Sequence, residues 1–240
     1  MNSKEILTLA RSISDRIQQH LIEAHINNDK PSRVAAAHCL TVVELNLGVI
    51  VLLDSLAQTH APLLIRAMQE SLAIIGCLHK DRNYLHQMIV DDANHNIKTI
   101  EGFLEVPQLA AEKQMEDFWL PQLVTEKETL RNYRERKNLK PKKLWKRFVD
   151  GGMAQNYAST YGFLSSNAHS NLTSLLARHG TDGELLFAKE FPKETIIGLV
   201  KISLGTLIQA IALMPKFTNI NPKDLDDSIG SLNIDMEKLI

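Results

Sequence analysis

The stretch RVAAAHCLTVVELNLGVIVLLDSL, Arg33 to Leu56, is apolar on nearly every face once wound as a helix. Such a helix has no solvated side to offer, so it belongs at the centre of a bundle with other helices around it. Its neighbours supply that surrounding. Upstream, Ile6, Leu9, Ile13, Ile17 and Leu21 recur at helical spacing on an otherwise polar segment and give an amphipathic helix. Between the two lies Asn27-Asn28-Asp29-Lys30-Pro31-Ser32, turn chemistry in which Ser32 reads as the N-cap of the central helix. Downstream, Thr59 and Pro62 open a third helix that ends near Leu78. Asp81 can cap a fourth, from about Arg82 to Leu104, with Pro107 just past its end.

Gly151-Gly152 breaks the chain before a fifth helix that runs to about Arg178, where Gly180 suits the C-terminal turn. Residues 181–191 read as a loop or short hairpin, and Pro192 opens a sixth helix reaching about Met214. No run of strands with alternating polarity appears. The fold class is therefore all-α, a single bundle of about six to eight helices. Residues 1–218 form the bundle, with a basic helix–loop segment at 121–150. Residues 219–240 form an acidic tail, either mobile or docked on the basic segment.

The net charge of −1 argues against a protein that binds nucleic acid through its global charge. The charge is unevenly placed, however. Glu126 to Arg147 holds ten Lys/Arg against three Glu, a local balance of +7. Within it Lys142, Lys143 and Arg147 are candidate phosphate ligands, and Tyr133 and Trp145 could stack on bases. Cys39 and Cys77 both lie in apolar helical stretches and read as buried, reduced thiols of a cytoplasmic protein. The longest uninterrupted apolar run, Leu47 to Leu53, is short of the roughly 20 residues a bilayer requires, and no secretory leader is visible, so no membrane partner is expected.

Polar groups on core helices are the strongest functional signal, because unmet they cost stability. The fifth helix carries Tyr157-x-x-x-Tyr161-x-x-x-Ser165-Ser166-x-x-His169. The third carries Arg66-x-x-x-Glu70, a pair sharing one face that continues into apolar Ala73 and Cys77. Together they offer His169 as acid or base, Glu70 as its orienter, Arg66 as anion binder, and Tyr161 or Ser165 as supporting donors, with Tyr157 alongside. The fourth helix places Asp92 in the apolar stripe Leu85, Met88, Ile89, Asn96, Ile100, Phe103, and an acid there calls for a partner. Asp92-x-x-His95 has carboxylate–imidazole metal spacing, but its counterpart Ser166-x-x-His169 puts a poor ligand in the second copy, so neither metal nor cofactor is assigned. Arg33 and His38 fit the Arg-x(4–6)-His spacing of HEPN nucleases, a match that chance supplies about once in a chain of this composition.

The Arg66-x-x-x-Glu70 helix followed by Tyr157-x-x-x-Tyr161-x-x-x-Ser165-x-x-x-His169 resembles a bacterial family of uncharacterised helical proteins, DUF5677, over roughly residues 35 to 180. The resemblance implies an all-α fold and a bacterial origin and brings no established activity. The first functional reading is a binding protein, acting through the basic segment on nucleic acid or by homo-oligomerising along Gly198, Gly205 and Ala212. The alternatives are a metal-independent hydrolase or nuclease of toxin or defence type using His169, and a small-molecule or nucleotide sensor.

Overall fold

A computed structural model of the protein describes residues 1–110, 113, 115–168, 175–176, 179–180 and 190–239. Among these residues the secondary structure is predominantly helical, and Ile26 and Thr218 form an isolated antiparallel bridge. Nine helices carry the fold among the described residues, one more than the upper expectation, because residues 120–151 fold into two helices and the tail into a third. The chain divides into two compact units, Met1–Lys80 with Phe148–Ile240, and Asp81–Arg147.

The first unit is built around α2 (Lys30–Leu53), as its all-round apolar sequence requires. α1 (Ser3–Ile22), α3 (Ala61–Lys80) and α8 (Lys193–Ala212) pack against it. α1 begins with a reciprocal capping box, Asn2 with Glu5. α2 is capped by Asp29 and not by Ser32. The Asp29 carboxylate accepts from the Ser32 amide at 2.9 Å and its hydroxyl at 2.8 Å, and Pro31 sits in the first turn, where its missing N–H is harmless. Ile6, Ile13, Ile17, Leu53, Ile65, Met68 and Phe217 are fully buried, and each contributes about 1.5–3 kcal/mol by leaving water.

One polar group lies in the middle of this core. Asn46 of α2 is fully buried; its Nδ2 donates to Ser14 Oγ of α1 at 2.8 Å, and its Oδ1 accepts from Ser203 Oγ of α8 at 2.8 Å. Three helices are thereby fixed in one register. The acidic tail forms α9 (Pro222–Glu237), which packs on α1 and α8 and buries Leu225 and Leu232. Arg16 pairs with Asp235, and Arg16 Nη2 donates to Ser231 Oγ at 3.0 Å. Hydrogen bonds from Lys238 and then Arg16 lower the Asp235 carboxyl from its ordinary value.

The second unit is a helical hairpin of α4 (Tyr84–Leu104) and α5 (Leu120–Lys137), antiparallel because Glu101 meets Lys127, Asn96 meets Glu126 and His86 meets Tyr133. Its core is Ile97, Ile100, Met115 and Leu123, with Phe103 and Trp119 packed edge to face against each other. Asn138 ends α5 in the left-handed conformation at φ 51°. α6 (Leu144–Gly151) returns the chain to the first unit.

Among the described residues, length and composition alone would let three helical segments cross a bilayer: Lys30–Leu53, Gln58–Lys80 and Lys193–Lys216, at mean hydropathies of 2.0, 1.3 and 2.0. Counting only uninterrupted apolar runs overlooks this. The middle segment is 72% buried within the chain, so its hydropathy is that of a core helix.

Candidate functional site

The Arg66–Glu70 face of α3 meets α7, which runs over residues 154–168. α7 is α-helical at Ala154–Asn156 and Gly162–Ala168 and π-helical at Tyr157–Tyr161, where the Gly162 amide donates to the Tyr157 carbonyl. The wider turn brings Tyr157 and Tyr161 into a stack, ring centroids 5.1 Å apart and 14° from parallel, with Phe148 tilted against both. Tyr161 is thereby buried to 4% exposure with its hydroxyl aimed at α3.

There the three polar groups close on one another. Tyr161 Oη donates to Glu70 Oε1 at 2.7 Å and accepts from Arg66 Nε at 2.8 Å, while Arg66 Nε also reaches Glu70 Oε1 at 3.1 Å. The guanidinium lies 5.2 Å from the Tyr161 ring centroid. Burial, reinforced by the hydrogen bond to Glu70, pushes the Tyr161 phenol up to about 12. Burial works against the Arg66 charge, but Tyr161 and Glu70 outweigh it and hold the guanidinium above its ordinary value. The Arg66 and Glu70 side chains keep 26% and 38% exposure, so the cluster has one edge in solvent. A neutral phenol between an acid and a base whose charges already compensate is a hydrogen-bonded brace: it has no proton to give near neutral pH.

α3 and the end of α6 approach backbone to backbone at this site. A Cβ on Gly76 would lie 2.6 Å from the Gly151 carbonyl oxygen, and one on Gly151 would lie 2.6 Å from that of Ala73. Glycine at both positions is a steric requirement of the contact.

The remaining predicted residues are placed differently. Tyr157 belongs to the aromatic stack, with its hydroxyl outside the Arg66–Glu70–Tyr161 bonds. Ser165 is half-buried on α7 and does not join them either. His169 lies outside the described residues. Asp92 is exposed on α4, as is His95, contrary to the expected stripe. The buried face of α4 shares only Ile100 with that expectation and carries Tyr84, Gln87, Val90, Asp91, Ala93, Ile97 and Ile100.

The acid with partners is thus Asp91. Its Oδ1 accepts from the Lys142 amide at 2.7 Å and from Gln87 Nε2 at 2.9 Å, and its Oδ2 meets Arg147 Nε at 3.2 Å as an ion pair without hydrogen-bond alignment. Gln87 Nε2 also donates to the Lys140 carbonyl at 2.8 Å. Lys142 Nζ lies 5.2 Å from the Tyr84 ring centroid. Two of the three cations predicted as ligands, Lys142 and Arg147, therefore hold the second unit together, while Lys143 is exposed. Sequence reasoning missed Gln87 and Asp91. The signal was a polar pair at i, i+4 on the face that also carries Tyr84 and Val90.

The same unit holds a groove of about 650 Å³, lined by Lys127, Leu130, Arg131 and Arg134 from one face of α5 and by Lys140 from the loop beyond it. Lys127 pairs with Glu101 at 2.8 Å and Arg131 with Glu128 at 3.6 Å; all four side chains are mostly exposed. Arg134 and Lys140 make no ion pair among the described residues.

The fold and the site define an all-α bundle protein with a tyrosine-braced Arg–Glu pair between its third and seventh helices. The chain belongs to the family of unknown function DUF5677, whose model matches residues 32–185. That range takes in α2, α3, the second unit and α7, so the brace and the basic groove both lie within it. Neither a curated protein nor a solved structure matches the chain.

Proposed function

We propose that the protein acts by binding a polyanion, the phosphodiester backbone of a nucleic acid, through the basic groove of its second unit, while the Arg66–Glu70–Tyr161 brace holds the fold. The observation that carries this reading is the groove itself: four cations, Lys127, Arg131, Arg134 and Lys140, around one concavity with Glu135 the acid in its lining. Clustering like charges costs free energy unless a counter-charge arrives. The acids that neutralise two of these cations do so in exposed pairs worth about 0–1 kcal/mol, which phosphates displace readily. The brace supports the same reading from the other side, since its hydrogen bonds are made internally.

The direct test is fluorescence anisotropy of a labelled oligothymidylate with wild type and an Arg131→Gln, Arg134→Gln double variant. Wild type should bind with strong salt dependence, and the variant should lose affinity and about 1.4 from the log–log salt slope, roughly 0.7 per phosphate contact on a single strand. Equal, salt-independent binding by both proteins would sink the reading.

A second reading, a metal-independent hydrolase or nuclease with His169 as acid or base, is favoured by one observation. π-helical turns occur frequently at functional sites, and this one aims Tyr161 at an Arg–Glu pair with an edge in solvent. Nucleic-acid hydrolysis that survives purification and is lost in His169→Ala would replace binding with catalysis. A ligand-dependent melting shift without turnover would point to a sensor.

Our reading also makes the protein cytoplasmic and water-soluble. Glu44 is exposed near the middle of α2. A charge at the centre of a spanning helix costs about 2.5–3.5 kcal/mol, against which the apolar length of α2 would have to compete. Gly198 and Gly205 on α8 have nothing within 4 Å of a built Cβ, which leaves room for a second copy; light scattering tests that arrangement.

A further inference from the structure

The cations of the groove come from two differently supported places. Lys127, Arg131 and Arg134 ride on α5, whose backbone is fixed by its own hydrogen bonds. Lys140 rides on the loop between α5 and α6, which has no such ladder. Two side chains of α4 supply what the loop lacks. Gln87 Nε2 donates to the Lys140 carbonyl at 2.8 Å, and Asp91 Oδ1 accepts from the Lys142 amide at 2.7 Å. Pro141, with φ set by its ring, separates the two anchored residues. Gln87 and Asp91 are bonded to each other at 2.9 Å, are 3% and 6% exposed, and the acid is further held by Arg147 at 3.2 Å.

From this geometry we infer that Asp91, with Gln87, is the positioning residue of the anion-binding groove: it fixes residues 140–142 so that Lys140 stands opposite Arg131 and Arg134 before any ligand arrives. The inference rests on the polyanion-binding reading and adds to it the element that preorganises the site. Neither residue needs to touch the ligand. Their part is to remove the ordering that a free loop would otherwise undergo on binding.

The sign of one substitution separates positioning from plain electrostatics. Asp91→Asn removes a negative charge from a unit that binds an anion, so charge alone predicts tighter binding. Positioning predicts the opposite, because an amide in place of the carboxylate loses Arg147 and turns a donor toward one of its neighbours. We expect Asp91→Asn to weaken oligothymidylate binding about fivefold or more, a change of roughly 1 kcal/mol. Limited trypsin digestion should show faster cleavage after Lys142 and Lys143 in the same variant. Gln87→Met changes no charge and leaves the carboxylate intact, so it serves where Asp91→Asn fails to fold; the same loss of affinity is expected. A double variant, Asp91→Asn with Arg147→Gln, should recover part of the affinity by restoring a neutral pair, which a general loss of folding would not do. Unchanged or tighter binding by folded Asp91→Asn and Gln87→Met would overturn the inference while leaving the groove reading intact. A wild-type protein that binds no oligothymidylate at low salt would overturn both, and the wild-type titration alone reveals it.

Discussion

Replacing Tyr161 by Phe removes one oxygen and leaves the aromatic stack with Tyr157 and Phe148 in place. Two hydrogen bonds go with it, the donation to Glu70 at 2.7 Å and the acceptance from Arg66 at 2.8 Å. Hydrogen bonds to charged groups contribute about 1.5–3 kcal/mol each when desolvated. Here the charged partners keep 26% and 38% exposure, water can replace the lost oxygen at their outer edges, and Arg66 retains Glu70 at 3.1 Å. The net loss at pH 8 should be about 1–2 kcal/mol, or roughly 2–8 °C in melting temperature for a chain of this size. The phenol pKa gives the prediction a second dimension. It is raised from 10 to about 12, so the folded state holds the phenol proton more tightly than the unfolded state does. The stabilisation is therefore complete below pH 10 and is lost as pH rises from 10 to 12. The limiting slope is about 1.4 kcal/mol per pH unit. Other tyrosines and lysines titrate there too, but they cancel in the difference between wild type and variant. Urea denaturation of both proteins at pH 8, 9, 10 and 11 measures that difference directly. It should be flat to about pH 10 and shrink above it. A difference that stays constant to pH 11, or is zero at pH 8, would refute a neutral, buried, doubly bonded phenol.

The glycines divide into two opposite cases. Gly76→Ala drives a Cβ to 2.6 Å from the Gly151 carbonyl, and its overpacking cost of about 1–3 kcal/mol should exceed the roughly 1 kcal/mol gained in helix propensity. Gly198→Ala meets nothing within 4 Å and should stabilise the monomer by up to about 1 kcal/mol; thermal melts of the two variants should move in opposite directions. Asn46→Leu takes one partner each from the buried hydroxyls of Ser14 and Ser203. It should cost about 2–4 kcal/mol by chemical denaturation, and a triple variant that also carries Ser14→Ala and Ser203→Ala should recover part of that loss.

The fold was legible where a helix declares itself by what surrounds it. The all-round apolar stretch at Arg33–Leu56 required partners, and helical spacing at Ile6–Leu21 provided one. Legibility failed where two helical phases compete. On α4 the apolar residues Leu85, Met88 and Ile89 suggest one face, yet the buried face carries Gln87 and Asp91, because the backbone of residues 140–142 needs those polar groups. Periodicity counts apolar side chains and is blind to the backbone groups of a distant loop. In the tail the acids draw the eye to solvent or a basic partner, while Leu225 and Leu232, spaced seven apart, are what α9 buries. At the brace, Arg66, Glu70 and Tyr161 were legible as polar residues on core helices that had to meet. The π-helical turn that lets Tyr161 reach them was not, because i→i+5 bonding leaves no mark in composition.

The two acids nearest the signals in the sequence, partly exposed Glu70 and buried Asp91, sit in different surroundings for a physical reason. Glu70 finds its partners in side chains, Arg66 and Tyr161, and two rigid helices carry all three. Fixing those groups orders nothing beyond the helices that carry them, which is why our reading gives the brace a structural part. Asp91 takes the backbone amide of Lys142 and so orders a segment that would otherwise sample many conformations, next to a groove whose opposite wall is basic. Ordering a loop beforehand lowers the entropic cost of whatever binds it. On our proposal, that asymmetry puts the binding site on the second unit, although the more conspicuous polar motif lies in the first.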